Sequence, residues 1–210
     1  MYTLYYAPGA ASLVVHWLLI ELDVPHELVK LDLAAKEQKS PDYLKLNPAG
    51  VVPTLIVDGA PVTECAALTL LLAERHPAAG LEPPRGSRER ATYLMWALHL
   101  ANTLQPAFRH WWYPAEAAGE ENSAAAQEMA GTRIAAVFDR LDAHLAAHGP
   151  YICGADISAV DFLATMLMRW SRNMPKPAHT WPALGAYAAR MKARPSFKQL
   201  YEREGLTEWA

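Results

Sequence analysis

The chain has 210 residues, 52% hydrophobic and 20% charged, with a net charge of −3 at neutral pH. That describes a folded globular protein long enough for two compact units, without the basic surplus that nucleic-acid binding demands. The N-terminus carries no charged leader, and the most apolar run, Leu13 to Leu22, is interrupted by His16 and Glu21, well short of the roughly 20 residues of a membrane span. A soluble, cytoplasmic protein is expected, with neither nucleic acid nor membrane as partner.

Tyr2 to Tyr6 is a short aromatic, β-prone run ended by Pro8-Gly9. Leu13, Val14, Trp17, Leu18 and Leu22 then recur at helical spacing, which predicts an amphipathic helix over 10–22. A strand follows at 26–32. Ser40 as N-cap with Pro41 at the first helical position predicts a brief helix. "VPTLIVDGAPVTE" reads as strand, Asp-Gly turn, strand, and 65–75 as a further helix stopped before Pro77. The order is β-α-β-α-β-β-α.

Residues 77–87, rich in proline and glycine, suit neither a helix nor a sheet interior and mark the boundary. The expected organisation is an α/β domain over 1–76, a linker over 77–87 and an all-helical domain over 88–210. Helical periodicity spans 88–113, 123–148, 159–172, 181–193 and 196–204, and Pro106 should kink or end the first of these. In "GADISAVDF", Ser158 and Asp161 form a capping box, with Ile157 and Phe162 as its hydrophobic staple. Asp161 is thereby given a structural role.

Chemistry is expected in the first half. Cys65 and Cys153, the only cysteines, have neither CxxC nor metal spacing, so no disulfide, dithiol centre or metal is expected. Pro53 follows a glycine turn at the start of a strand. A cis Val52–Pro53 bond would turn the amide N–H and C=O of Val52 outward, where an extended peptide can pair with them. Thr63, Glu64 and Cys65 lead from a strand end into a helix N-terminus, whose amides suit a carboxylate, and Glu64 suits an ammonium. Together these features suit a small zwitterionic peptide, although from these residues alone a helix-dipole partner is the favoured reading of Glu64.

The segments "YYAPGAASLVVHW", "LVKLDL", "NPAGVVPTL", "VTECAAL", "YICGADISAVDF", "MRW" and "RMKARPSF" together resemble a bacterial glutathione S-transferase, closest to the beta class, from Tyr2 to about Gly205. The resemblance implies a thioredoxin-like N-terminal domain joined to the helical one, a cis proline at Pro53, and a homodimer. It also implies that glutathione lies as co-substrate against Val52, Glu64 and the amide of Cys65, with Lys36 near its glycyl carboxylate. The chain departs from the class at the turn usually written Pro-Gly-x-Cys-Ser, where Ala11 replaces the cysteine and Ser12 is kept. Cys65 stands where Ser or Gly is usual, Gln105 where a histidine often faces glutathione, and Leu98 where an asparagine often does.

Without the cysteine, no mixed disulfide forms at this turn. Lowering a thiol pKa from about 8.5 to about 6.5 takes roughly 2.7 kcal/mol of selective stabilisation. The Ser12 hydroxyl with the amides of Ala11 and Ser12 can supply it, with Tyr6 as fallback donor; a Ser12 that only caps its helix is the competing reading. "FRHWWYP" offers Phe108, His110, Trp111 and Trp112, with Trp170 further on, as walls for a hydrophobic electrophile, against the alternative that these residues are core. His16, His76, His144 and His148 receive no role. Three functions follow: a glutathione transferase adding the thiolate to apolar electrophiles, a non-catalytic glutathione-binding carrier or interaction protein, and, ranked last, thiol–disulfide or peroxide chemistry through Cys65.

Overall fold

In the computed structural model, which describes residues 1–209, β1 (Tyr2–Tyr6) lies between β2 (His26–Lys30), parallel to it, and β3 (Thr54–Val57), antiparallel to it. β4 (Ala60–Thr63) pairs antiparallel with β3, giving the order β2-β1-β3-β4. The parallel pair needs a crossover, which α1 (Leu13–Glu21) supplies. Asp58 and Gly59 turn β3 into β4 with φ of 52° and 82°, the sign pattern of a type I′ hairpin. Pro61 falls on β4, the edge strand, where a missing donor is tolerated. α2 (Pro41–Leu46) starts on Ser40, whose Oγ accepts the Tyr43 N–H at 3.3 Å, and α3 (Cys65–Arg75) fills the span expected of it. This is the thioredoxin-like arrangement.

α1 differs from the expectation. It begins at Leu13 rather than residue 10, and every residue from Leu13 to Ile20 is buried, His16 included. It is not amphipathic, because α3 covers one side and α10 (Pro195–Glu204) another. Trp17 Nε1 donates to Ser196 Oγ at 2.9 Å, its ring meets Phe197 edge-on at 5.2 Å, and Arg194 pairs with Glu21. The last helix therefore belongs with the sheet. Residues 1–82 and 191–209 form one unit and residues 83–190 the other.

The second unit is helical throughout: α4 (Arg88–His99), α5 (Gln105–Trp112), α6 (Pro114–Ala118), α7 (Ser123–His148), α8 (Ala159–Trp170) and α9 (Pro182–Lys192), whose last residues pass the division. Pro106 leaves the Asn102 carbonyl without its usual donor, and just before it Leu100–Leu104 widens into a π turn. The long helix expected over 88–113 thus continues through a bulge. α6 was not anticipated; Pro114 opens it, and Glu116 on it takes a two-pronged bond from Arg109 at 2.6 and 2.7 Å. α8 is buried from Ala159 to Arg169. At its start, the fully buried Asp161 carboxylate accepts from Ser158 N–H and Oγ–H, Ile152 N–H and Tyr187 O–H, all within 2.9 Å. The capping box serves structure, as its spacing indicates.

Candidate active site

The pairing register brings four connections to one end of the sheet. Tyr5, Thr54 and Thr63 form a single row across β1, β3 and β4, and Tyr6 faces Lys30 on β2. The turn after β1, the chain after β2 that carries Lys36, the Val52–Pro53 step and the Glu64–Cys65 step all emerge there. A buried cluster of Ala7, Tyr43 and Val52, with Tyr5, Ala10, Leu31 and Leu46 against it, ties three of them together.

Val52–Pro53 is a cis peptide bond. Its approach is fixed by α2: the Val51 carbonyl accepts from Tyr43 O–H at 2.6 Å and from Asn47 Nδ2–H at 2.7 Å. Gly50 enters at φ 59° with Lys39 and the Gln38 carbonyl packed against it, and a Cβ there would come within 2.9 Å of that carbonyl. Among the described residues, the Val52 N–H and C=O take part in no hydrogen bond. After the neighbouring strand β4, Glu64 is exposed and held at φ 70°, a conformation L residues avoid and which costs on the order of 1–3 kcal/mol. Its strained backbone aims an acidic side chain beside the N-terminus of α3, while Cys65 is 3% exposed. Lys36, exposed at φ 60°, follows β2.

The turn after β1 is held by two devices. Ser12 Oγ donates to the Ala7 carbonyl and accepts the Ala7 N–H, both at 3.1 Å. Ser12 has 0% exposure and makes no side-chain cap bond. Its hydroxyl does not cap α1, because its backbone is already helical and its oxygen points back into the turn. The second device comes from α10: Glu204 Oε2 accepts the Gly9 N–H at 2.8 Å, and Oε1 pairs with His16 Nδ1 at 2.8 Å. Neither His16 nor Glu204 had been given a role; their partners lie 188 residues apart and no local spacing signals the pair. Ala11 is half-exposed, and among the described residues its N–H makes no hydrogen bond. Burial first, and the Glu204 carboxylate second, raise the Tyr6 phenol above its ordinary pKa, so Tyr6 keeps its proton at neutral pH.

The aromatic candidates belong to the second unit and are not brought to one place within it. Phe108 has no exposed surface; it packs edge-on to Trp170 at 5.7 Å and tilted to Phe138 at 6.3 Å, so it is core rather than wall. Trp111 lines a groove of about 390 Å³ with Ile134, Met174, Lys176 and Trp181, lying so close over Gly131 that a Cβ there would meet its ring at 2.8 Å. Trp112 is exposed, and His110, Gln105 and Trp170 are half-buried. No group of three or more His, Cys, Asp or Glu side chains among the described residues is placed to hold a metal ion.

A mixed four-stranded sheet with a cis proline at one end, followed by an all-helical unit, defines a thioredoxin-like two-domain class, with the candidate residues carried on the connections at that end. Two family models match: the glutathione S-transferase N-terminal domain over residues 1–73 and its C-terminal domain over residues 102–204. Glutathione S-transferase GST-4.5 of Xanthomonas campestris pv. campestris is 33% identical over 207 residues, 97% of this chain and 98% of the relative. A sphingomonad glutathione S-transferase solved in complex with glutathione is 32% identical, covering 98% of this chain and 100% of that one, with a TM-score of 0.84. The beta-class enzyme of Sphingomonas chungbukensis is 30% identical at the same coverage and the same TM-score. The chain belongs to the glutathione S-transferase family.

Proposed function

We propose that this protein adds the thiol of glutathione to small hydrophobic electrophiles. The reading is carried by the unpaired backbone of Val52 beside cis Pro53, at the end of the sheet where the unpaired Ala11 N–H also emerges. The peptide chain of glutathione pairs with Val52. Its γ-glutamyl end lies at Glu64 and the first amides of α3, and Lys36 meets its glycyl carboxylate. The sulfur lies at the opening of α1, where the Ala11 N–H replaces Ser12 as the principal donor, since the Ser12 hydroxyl is engaged with Ala7. A hydrogen bond to a charged acceptor contributes about 1.5–3 kcal/mol and a helix N-terminus about 0.3–1 kcal/mol, which together reach the roughly 2.7 kcal/mol needed for a two-unit fall in thiol pKa. Tyr6 O–H remains a second donor.

Catalysis then needs ionisation and placement only: the thiol proton leaves to solvent, the sulfur forms its bond to an electrophilic carbon, and the leaving group departs with that carbon's electron pair. Cys65 is buried, which disfavours chemistry at its thiol. A homodimer suits this reading, covering Leu94, Met95 and Leu98, which are exposed along one side of α4. Detoxification in the cytoplasm is the setting it suggests. No helix among the described residues is long and apolar enough to cross a membrane.

The test is glutathione-dependent release of chloride from a chloronitrobenzene, measured beside glutathione affinity. Turnover well above the uncatalysed rate, insensitive to alkylation of Cys65, is expected. Tight binding without turnover would make the protein a carrier instead.

A further inference from the structure

We infer that Glu204, on the last helix, is a positioning residue that sets the acidity of the bound glutathione thiol by fixing the turn that carries the Ala11 amide. The inference rests on the proposed glutathione site. Gly9 lies two residues before Ala11 at φ 70°, a conformation in which the turn has no helical or sheet ladder to hold it. Its N–H is bonded instead to Glu204 Oε2 at 2.8 Å, while the other oxygen of the same carboxylate holds His16 on α1 at 2.8 Å. One side chain therefore locks the turn to the helix whose first amides face the sulfur.

The pair is built rather than incidental. Both side chains are wholly enclosed, and His16 Nε2 has no partner, so the imidazole is held in place through its Nδ1 contact with Glu204. Around the carboxylate stand Tyr6 from β1, His16 from α1, His26 from β2, whose ring is 5.8 Å from that of His16, and Arg203 from α10 itself, 3.4 Å from His26. An aspartate, one methylene shorter, cannot reach Gly9 and His16 together. A hydrogen bond to a thiolate weakens steeply with misdirection, so loosening Gly9 removes acidity from the sulfur while leaving the peptide's anchors on Val52 and Glu64 intact.

The test compares Glu204→Gln, Glu204→Asp and Glu204→Ala by the thiolate absorbance of bound glutathione against pH, with kcat and KM for glutathione. Glu204→Asp and Glu204→Ala are expected to move the thiol midpoint up by about one pH unit, a tenfold loss of thiolate below it, lowering kcat about tenfold in mildly acid solution while KM for glutathione changes less than about threefold. Glu204→Gln keeps an acceptor for Gly9 and is expected to return the midpoint to near that of the unaltered protein. Should Glu204→Ala fail to fold, the Gln and Asp variants carry the comparison alone. A midpoint unmoved in Glu204→Asp, or moved equally in Gln and Asp, overturns the inference. If the unaltered protein itself ionises no bound glutathione, it is the proposed function that fails.

Discussion

Two serines stand at helix beginnings in this molecule, and they behave differently. Ser158, before α8, bonds to Asp161 three residues on through both its N–H and its hydroxyl. Ser12, before α1, bonds backward to Ala7, and the turn around it is completed by Glu204, 195 residues from Gly9. The first site is built on a bond between residues three apart and is closed by Ile152 and Tyr187. The second is assembled from both ends of the chain, and it carries the unpaired Ala11 N–H. A local motif can build a rigid helix start, but a ligand-binding turn with an unpaired amide needs restraint from elsewhere, since its own residues must leave that donor unused.

The difference is sharpest in stability. Replacing Asp161 with Ala strands the Ile152 and Ser158 N–H groups in a fully buried place, while the Tyr187 hydroxyl keeps the backbone carbonyl of residue 161 at 3.1 Å and the Ser158 hydroxyl keeps Cys153 Sγ at 3.5 Å. The expected loss is about 3–5 kcal/mol in denaturant unfolding. A loss under about 1 kcal/mol would show that the box restrains α8 far less than its geometry implies. Ser12→Ala is expected to be milder, about 1–3 kcal/mol, because one buried donor, the Ala7 N–H, loses its partner while the Ala7 carbonyl keeps the Ala10 N–H at 3.2 Å. Loss of thiol ionisation in Ser12→Ala without loss of stability would return that hydroxyl to the sulfur.

The same contrast explains what the sequence disclosed. Strands, hairpin, α3, α7 and the capping box were legible because each is determined within a few residues: aromatic run, Asp-Gly turn, apolar period, Ser-x-x-Asp. The fold class followed from their order. The grouping of Val52, Pro53, Glu64 and Lys36 at one end of the sheet was legible, since they sit at strand ends that the order alone brings together. The roles of Ser12, His16 and Glu204 were not. His16 lies in a run apolar enough to read as buried on one face, and only α10 packing on the other shows why a histidine is tolerated there. Phe108 failed for a related reason: aromatic clustering marks core and pocket alike, and its contacts with Phe138 and Trp170 decide between them.

The smallest expected effect separates the two networks by pH. Burial holds the Asp161 carboxyl above its ordinary pKa of 3.8, so the folded state binds more protons than the unfolded one just above that value, and this network loses stability as pH rises through the window. His26, beside the Glu204 network, is shifted the other way: burial, and then the proximity of His16 and Arg203, outweigh its bond to the Val24 carbonyl and hold its pKa below 6.5. The unfolded chain therefore takes up a proton there first, and stability present above pH 6.5 is lost as the pH falls toward the lower folded value. His99, lowered by burial and by Arg140, adds the same sign in the helical unit. Thermal unfolding followed from pH 7.5 down to 5.5 should show a falling midpoint, made shallower by His26→Gln, with the remaining slope reduced by His99→Gln. A slope that His26→Gln leaves unchanged would mean that the burial of His26 carries none of the pH dependence.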